Sequence, residues 1–315
     1  MHKIAFLFPG QGAQSVGMGR GLAVADPEIA ALFAMADDVV GFPLSTLMWN
    51  GPESELTLTE NAQPALVTTA LAAHHLLTTR TTIRPDFVAG HSLGEYAALV
   101  AAGGLTARDA IRLVRLRGQA MQKAVPPGEG GMAVLLNVPA PEVAALCQEA
   151  AVSTQGVCVP ANFNTAQQIV ISGHKQAVEK AVALAKERGA KRCLMLAVSA
   201  PFHSPLMQPA AGTMADALSA TPLQNLTIPL VANVTAQEVT SADSVRHLLV
   251  EQVTGAVRWE ASIHRLIALG VDTFIELGSG KVLTGMIKRI DATVRAVALN
   301  EPEELETITT LFPPL

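Results

Sequence analysis

Short β-rich apolar runs alternate with Ala-rich amphipathic segments along the first third of the chain. The runs Ile4–Phe8 and Phe87–Ala89 predict buried strands, and the segments 64–77, 93–102 and 107–124 predict helices. Strands separated by helices form parallel sheets that helices cover on both faces. The alternation therefore predicts an α/β fold with a parallel-sheet core.

The pattern changes at Val125–Gly131, whose prolines and glycines can end a helix and form a hinge. Beyond it, strand and helix signals follow the order β-α-β-β-α-β up to Val198, which is typical of a ferredoxin-like unit. The α/β alternation then resumes, with strand signals at 228–233 and 273–277. We therefore expect residues 1–127 and 199–315 to form one discontinuous domain, and residues 128–198 to form a ferredoxin-like subdomain inserted into it.

Composition excludes several classes of protein. Lys and Arg number 22 against 27 Asp and Glu, a net charge of −5, whereas general nucleic-acid binding needs a basic surface. Half of the residues are hydrophobic, enough for a large core. The first apolar run is too short for a secretion signal, and the apolar stretches contain too many prolines and polar residues for membrane spans. The odd set Cys147, Cys158 and Cys193 resembles buried reduced thiols, so we expect a cytoplasmic protein without nucleic-acid or membrane partners.

The strongest local signal is Gly90-His91-Ser92-Leu93-Gly94, between a predicted strand and a predicted helix. This is the context that the G-x-S-x-G motif requires. The tight turn needs Gly on both sides, projects the serine Oγ above the sheet and points the next N–H at the same space. Ser92 is therefore a candidate nucleophile; the alternative is an ordinary Gly-rich turn.

A second Gly-rich turn, Phe8–Gln14, follows the first predicted strand. Its backbone N–H groups can face an anion at the carboxyl end of the sheet. The dinucleotide motif G-x-G-x-x-G fails because Ser15 stands where the third Gly is needed. A P-loop fails at Gly280-Lys281, because Ile275 replaces the first Gly and Val282 replaces Ser or Thr.

His203 lies in non-helical chain between Pro201 and Pro205, a suitable place for a general base, although a lone histidine is more often structural. His91 is expected to point away from Ser92, and the adjacent pair at 74–75 is expected to be structural. The chain has no H-E-x-x-H or C-x-x-C motif, so we expect no metal site.

Arg117 shares a predicted helix with Arg112 and Arg115. A solvated helix face is the simpler interpretation, and we favour it for Arg112 and Arg115. At about 100° per residue, Arg117 falls on a different face from Arg115, which allows it a separate role.

Taken together, these residues resemble the malonyl-CoA:acyl carrier protein transacylase family. The resemblance runs nearly end to end, and its ordered set of motifs is specific: Phe8–Gly12, Gly90–Glu95, Arg117–Met121, Asn162–Asn164, Pro201–His203, Leu277–Leu283 and Leu299–Pro302. It implies an α/β-hydrolase-like core with a ferredoxin-like insertion. The chain departs from the family where Thr165-Ala166 replaces a frequent Ser-Pro and Ser279 replaces a common Pro.

The resemblance also implies roles for particular residues. Ser92 would be acylated, with His203 as its base and the backbone carbonyl of Gln252 as the third member of the site. The N–H groups of Gln11 and Leu93 would form the oxyanion hole. Arg117 would bind the malonyl carboxylate. The other residues near the acyl pocket would be Asn162, Met121 and Gln63. We expect Phe202 to narrow that pocket near the malonyl C2.

The implied reaction moves malonyl from coenzyme A to the phosphopantetheine thiol of acyl carrier protein through malonyl-Ser92, for fatty-acid synthesis. Coenzyme A thioester is a substrate, and no cofactor is expected. An acidic carrier would dock on a basic patch, with Lys191-Arg192 and Lys288-Arg289 as candidates. The alternatives are a polyketide or malonate-decarboxylase acyltransferase, an α/β-hydrolase thioesterase, and a carrier-binding protein without catalytic activity.

Overall fold

A computed structural model describes residues 2–198 and 200–311. Its larger sheet has six strands in the order β10-β9-β1-β2-β7-β8, and only the β7–β8 pair is antiparallel. The strands are β1 (Lys3–Phe8), β2 (Phe87–Gly90), β7 (Leu230–Val231), β8 (Glu238–Val239), β9 (Val271–Leu277) and β10 (Arg295–Leu299). The predicted α/β fold with a mostly parallel sheet is therefore confirmed.

A second sheet has four antiparallel strands in the order β4-β5-β3-β6. It consists of β3 (Gly130–Leu136), β4 (Cys158–Thr165), β5 (Gln168–His174) and β6 (Arg192–Met195), with the helices α8 (Ala140–Thr154) and α9 (Lys175–Glu187) between strands. From β3 to β6 the elements follow the β-α-β-β-α-β order that the sequence predicts.

The remaining helices belong to the larger part of the molecule. Seven come before the second sheet: α1 (Arg20–Ala25), α2 (Pro27–Val40), α3 (Leu44–Asn50), α4 (Glu53–Leu56), α5 (Thr59–Arg80), α6 (Gly94–Ala101) and α7 (Ala107–Lys123). Five come after it: α10 (Gln208–Ser219), α11 (Ala242–Thr254), α12 (Trp259–Ala268), α13 (Val282–Ile290) and α14 (Glu304–Thr310).

Arg115 has a structural role that the sequence did not predict. Helix α5 begins before Pro64, which has no N–H to donate to the carbonyl of Glu60 one turn earlier. The Arg115 Nη1 donates to that carbonyl at 2.7 Å instead. The expectation of a solvated Arg115 is therefore wrong, whereas Arg112 is exposed as expected.

The two sheets share a hydrophobic core. One face of the four-stranded sheet, including Met132, Val134 and Val170, belongs to the same buried cluster as Phe6 and Phe8 of β1. Strand β4 also continues into the larger part of the molecule by backbone hydrogen bonds. Val257 N donates to Ala161 O, and Phe163 N donates to Val257 O, both at 2.9 Å.

Two predicted strands are shorter than expected. Of the segment 191–198, only Arg192–Met195 is strand. Leu196 still donates its N–H to Met132 O of β3 at 2.9 Å, and residues 196–198 line a cavity. Of the segment 228–233, only Leu230–Val231 is strand.

All three cysteines are buried and unpaired. Within the described residues, no single helix has the length and apolar character needed to cross a membrane. The helices α2 and α3 meet that test only as a pair, bent by 115°.

Candidate active site

The turn at Ser92 joins β2 to α6 in a conformation that only a few residue types accept easily. Ser92 has φ 52°, in the left-handed region. A Cβ on Gly90 would lie 2.0 Å from Gly94 C, and a Cβ on Gly94 would lie 2.2 Å from Phe8 O. Both flanking glycines are therefore required by close backbone packing, as the motif predicts.

Ser92 and His203 are 111 positions apart in sequence and in contact in the structure. The Ser92 Oγ lies 2.7 Å from His203 Nε2. On the other side of the ring, His203 Nδ1 lies 2.9 Å from Gln252 O and 3.1 Å from Gly255 O. A carbonyl oxygen can only accept, so Nδ1 carries the proton and Nε2 accepts from the Ser92 hydroxyl. This arrangement can remove the proton from Ser92.

Burial, together with the positive charge of Arg117, lowers the pKa of His203 to about 3. The two carbonyl acceptors oppose this shift because they stabilise the protonated ring. His203 is therefore neutral at neutral pH, the state in which Nε2 can accept a proton.

The loop after β1 carries Gln11 into the same cavity as Ser92. In the described part of the chain, the backbone N–H groups of Gln11 and Leu93 have no acceptor, so both are available to a ligand oxygen. Leu93 N lies just before the first turn of α6, where the helix dipole favours negative charge. Ser279, which stands where the family commonly has Pro, donates from its Oγ to Ala13 O at 2.6 Å. This hydrogen bond stabilises the loop that carries Gln11.

Arg117 lies at the bottom of the site with 1% of its surface exposed. Its Nη1 donates to Gln63 Oε1 at 2.9 Å, and its Nη2 donates to Gln252 Oε1 at 2.8 Å and to Ser92 Oγ at 3.1 Å. Its Nε has no acceptor within the described residues. Among those residues, Arg117 also forms no ion pair with a carboxylate. A buried guanidinium without a carboxylate partner can accept an acidic ligand.

A cavity of about 430 Å³ lies over these groups, between the two sheets. Asn162 and Phe202 line it together with Met121, whose Sδ lies 3.8 Å from Gln63 Nε2. The structure thus brings all of the sequence-predicted site residues to one place. The side chain of Leu93 is buried, and it is the backbone N–H of this residue that belongs to the predicted site.

His91 makes no hydrogen bond with Ser92 in the described part of the molecule, but it lines the same cavity. Its Nε2 lies 2.9 Å from Asn164 Oδ1, and its ring packs against Trp259. Burial lowers the pKa of His91. This arrangement agrees with the expectation that His91 points away from Ser92, and the structure adds that His91 lines the cavity.

Sequence reasoning missed Asn233, which holds the turn from outside the motif. Its Oδ1 accepts from Ser92 N at 2.7 Å, and its Nδ2 donates to Gly90 O at 2.6 Å. No local signal marks Asn233, because it lies 141 positions after Ser92 in sequence.

The side chain of Gln252 was also missed, since only its backbone was expected to act. Besides accepting from Arg117, Gln252 donates from Nε2 to Ser92 O at 2.9 Å. One residue therefore contacts the base, the guanidinium and the nucleophile turn.

The two candidate docking pairs differ in their relation to the cavity. Lys191 and Arg192 are exposed and precede the segment 196–198 that lines the cavity. Lys288 and Arg289 are exposed at the end of α13, whose first residues line the same cavity. No group of three or more potential metal ligands occurs among the described residues.

Comparison with known proteins agrees with this chemistry. The acyl transferase domain family matches residues 5–303, and a serine nucleophile with a paired histidine is what acyl transfer needs. The class of protein that the fold and site define is an acyltransferase.

Two relatives and one complex make the class more specific. The malonyl CoA-acyl carrier protein transacylase of Bacillus subtilis (strain 168) is 47% identical over 307 residues, covering 97% of this chain and 96% of the relative. The crystal structure of malonyl-CoA:acyl carrier protein transacylase from Xanthomonas oryzae pv. oryzae has TM-score 0.96 and 43% identity, covering 100% of both chains. A malonyl-transacylase in complex with a type II polyketide acyl carrier protein has TM-score 0.94 and 43% identity, covering 97% of this chain and 98% of that one. The chain therefore belongs to the malonyl-CoA:acyl carrier protein transacylase family.

Proposed function

We propose that this protein transfers malonyl from coenzyme A to the phosphopantetheine thiol of an acyl carrier protein through a malonyl ester on Ser92. The observation that carries the proposal is the environment of the Ser92 hydroxyl. Its Oγ contacts the neutral base His203 at 2.7 Å and the guanidinium of Arg117 at 3.1 Å. The first contact suits a nucleophile, and the second suits an acyl group that carries an acid close to its reacting carbonyl.

In the first half-reaction, Ser92 Oγ attacks the thioester carbon while His203 Nε2 takes the hydroxyl proton. The C–S bond then breaks, and His203 returns the proton to the coenzyme A sulfur. In the second half-reaction, the carrier thiol gives its proton to His203 and its sulfur attacks the ester carbon. The C–O bond breaks, and the proton returns to Ser92 Oγ, which restores the free enzyme.

The negative charge on the carbonyl oxygen in each half-reaction needs fixed donors. The N–H groups of Gln11 and Leu93, which have no acceptor among the described residues, are the donors that we assign to it. Removing a single donor of this kind costs an enzyme about 2.7–4 kcal/mol of transition-state stabilisation.

Arg117 provides the selectivity in this scheme. The free carboxylate of malonyl is only two bonds from the carbon that Ser92 attacks, so its cationic partner must lie close to Oγ. A planar guanidinium can bind both carboxylate oxygens, which an ammonium cannot do. Phe202 borders the same cavity, and we assign to it the exclusion of a methyl branch at C2.

Thioester hydrolysis is less well supported. His203 is oriented by carbonyls rather than by a carboxylate, and hydrolytic triads usually have an acidic third member. A carrier-binding protein without catalysis would not need the Ser92–His203 contact.

The proposal also includes the division of the chain into domains and the cellular compartment of the protein. We take residues 128–198 as a ferredoxin-like subdomain inserted into an α/β-hydrolase-like core formed by 1–127 and 199–315. The strand order β4-β5-β3-β6 supports this division. The unpaired cysteines support a cytoplasmic location, and the reaction needs no cofactor beyond its coenzyme A substrate.

The experiment that tests the function is a transfer assay with malonyl-CoA and a holo acyl carrier protein, read by the mass of the carrier. We expect malonyl-carrier to form much faster than free malonate. Accumulation of free malonate with an unchanged carrier would favour the thioesterase. Comparing a fatty-acid carrier with a polyketide carrier assigns the pathway, for which we propose fatty-acid synthesis.

A further inference from the structure

Glu95 is a buried carboxylate that the reaction scheme does not use. It lies in the first turn of α6 with 2% of its surface exposed, and it does not line the cavity. Its Oε1 accepts from Asn233 N at 2.8 Å, and its Oε2 accepts from Gln252 Nε2. Both carboxylate oxygens therefore act as acceptors, which an ionised carboxylate does best.

The Gln252 amide that Glu95 contacts could in principle point either way. In the observed orientation, its Nε2 faces two acceptors, Ser92 O and the Glu95 carboxylate, and its Oε1 faces the guanidinium of Arg117. The reverse orientation would place the amide oxygen against two acceptors and the amide NH₂ against a cation. Glu95 thus favours the orientation in which Arg117 has an acceptor.

We propose that Glu95 is a positioning residue for malonyl selectivity, acting through the Gln252 amide to hold Arg117 where the substrate carboxylate binds. This inference rests on the proposed malonyl transfer. Glu95 touches neither the cavity nor the Ser92 side chain, so its effect is on Arg117 and on the turn rather than on the acyl group itself.

The charge state of Glu95 gives this arrangement a pH dependence. Burial raises the pKa of Glu95 to about 7, against the opposing effects of Asn233 N–H, Gln252 and Arg117. The other titratable groups of this cluster lie outside the range from pH 6 to 8: the pKa of Tyr96 is raised to about 12, and that of His203 is lowered to about 3. Burial also lowers the pKa of the neighbouring His91.

Protonated Glu95 would carry an O–H donor on one oxygen and would be a weaker acceptor toward its two partners than the ionised carboxylate. The selectivity of the wild-type enzyme should therefore weaken as the pH falls through about 7. The pH dependence of kcat/KM reports ionisations of the free enzyme, in which His203 is the same for both substrates. The ratio of the kcat/KM values for malonyl-CoA and acetyl-CoA therefore isolates the Glu95 effect.

The test compares kcat/KM for malonyl-CoA with kcat/KM for acetyl-CoA, in the wild type, Glu95→Gln, Gln252→Ala and the double variant. In Glu95→Gln, the new NH₂ must face one of the two existing donors. We expect its malonyl-to-acetyl ratio to fall at least tenfold at pH 8, with most of the loss in the KM for malonyl-CoA. The double variant should match Gln252→Ala within twofold, because Glu95 acts on the ratio through Gln252.

Glu276→Gln is the matched control. Glu276 is also a buried carboxylate that accepts two backbone N–H groups, those of Leu283 and Thr284, and its side-chain hydrogen bonds do not involve Gln252 or Arg117. We expect this variant to lose thermal stability and to keep the wild-type ratio. An equal loss of ratio in Glu276→Gln and Glu95→Gln would overturn the inference, because general destabilisation would then explain both.

A measurement on the wild type does not depend on whether the variants fold. We expect its malonyl-to-acetyl ratio to fall at least threefold between pH 8 and pH 6. A malonyl-to-acetyl ratio in Glu95→Gln equal to that of the wild type would overturn the inference and leave the proposed function standing. A wild-type ratio that does not change across this pH range would do the same. A wild type that does not prefer malonyl would overturn the proposed function instead.

Discussion

His203 shows how one side chain is tuned by its neighbours. Its low pKa makes it a weak base in the free enzyme, and Arg117 is one cause. A malonyl carboxylate bound at Arg117 would cancel that positive charge and raise the pKa of His203. Binding of malonyl would thereby make His203 a stronger base toward the Ser92 hydroxyl.

This coupling predicts a pH shift in Arg117→Ala. Catalysis needs neutral His203, so activity is lost as the pH falls through its pKa. Removing the guanidinium raises that pKa, and the acid limb of the rate profile should therefore move to higher pH. The position of the acid limb is measured from the pH dependence of acylation by acetyl-CoA, whose acyl group has no carboxylate. An acid limb that stays in place or moves to lower pH in Arg117→Ala would contradict the coupling.

The same residue predicts a change in substrate preference. Arg117→Ala should lose malonyl transfer by at least a hundredfold, because a buried charged hydrogen bond is lost, while acetyl transfer falls little or rises. Arg117→Lys should rescue malonyl transfer only in part, since an ammonium cannot make the two-point contact. Rates with malonyl-, methylmalonyl- and acetyl-CoA measure the preference. Equal proportional losses with malonyl and acetyl would show that Arg117 is structural.

At the scale of elements, the strand-turn-helix unit from β2 to α6 depends on its two glycines. Gly90→Ala and Gly94→Ala each place a methyl group within about 2 Å of backbone atoms that cannot move aside. We expect either variant to lose several kcal/mol of unfolding free energy and nearly all acylation. Thermal melting and the rate of acylation are the measurements.

Gly285→Ala is the control for these substitutions. Gly285 lies within α13, and a Cβ there would have no heavy atom within 4 Å apart from the neighbouring backbone of its own helix. Replacing a helical Gly by Ala should raise stability by up to about 1 kcal/mol. Elbow variants as stable and active as Gly285→Ala would contradict the packing argument.

The elements with strong local signals could be predicted from sequence. Strand β1 and helix α7 match the predicted segments within one residue, because apolar periodicity and capping are local properties. Strand β6 is shorter than predicted: Leu196 still donates its N–H to Met132 O of β3, but the apolar residues 196–198 line a cavity and do not continue the strand. Helix α5 begins earlier than the predicted residue 64, because a tertiary contact from Arg115 satisfies the Glu60 carbonyl that Pro64 leaves without a donor.

The residues of the site also divide into those that the sequence predicts and those that only the structure shows. Ser92, His203 and Arg117 lie in motifs that the sequence displays. Other contacts of the site could not be predicted, because they join residues up to 160 positions apart and no sequence motif spans such a distance. They are made by Asn233, Glu95 and the side chain of Gln252.

At the scale of the whole molecule, the shared core predicts that the two sheets unfold together. One face of the four-stranded sheet packs into the cluster around β1, and β4 is bonded to residue 257 of the larger part. Hydrogen exchange of amides in β1 and β5 should therefore give the same free energy of opening within about 1 kcal/mol. Exchange in β5 at a much lower free energy, with β1 still protected, would contradict this.

The central claim is that Ser92 carries the acyl group between coenzyme A and the carrier. The direct measurement is the intact mass of the protein after mixing with malonyl-CoA and no carrier, followed by peptide mapping. We expect one added malonyl group, located on Ser92, absent in a folded Ser92→Ala variant and lost from the wild type when holo carrier protein is added. An undiminished adduct on Ser92→Ala, or a wild-type adduct that the carrier cannot remove, would contradict the account.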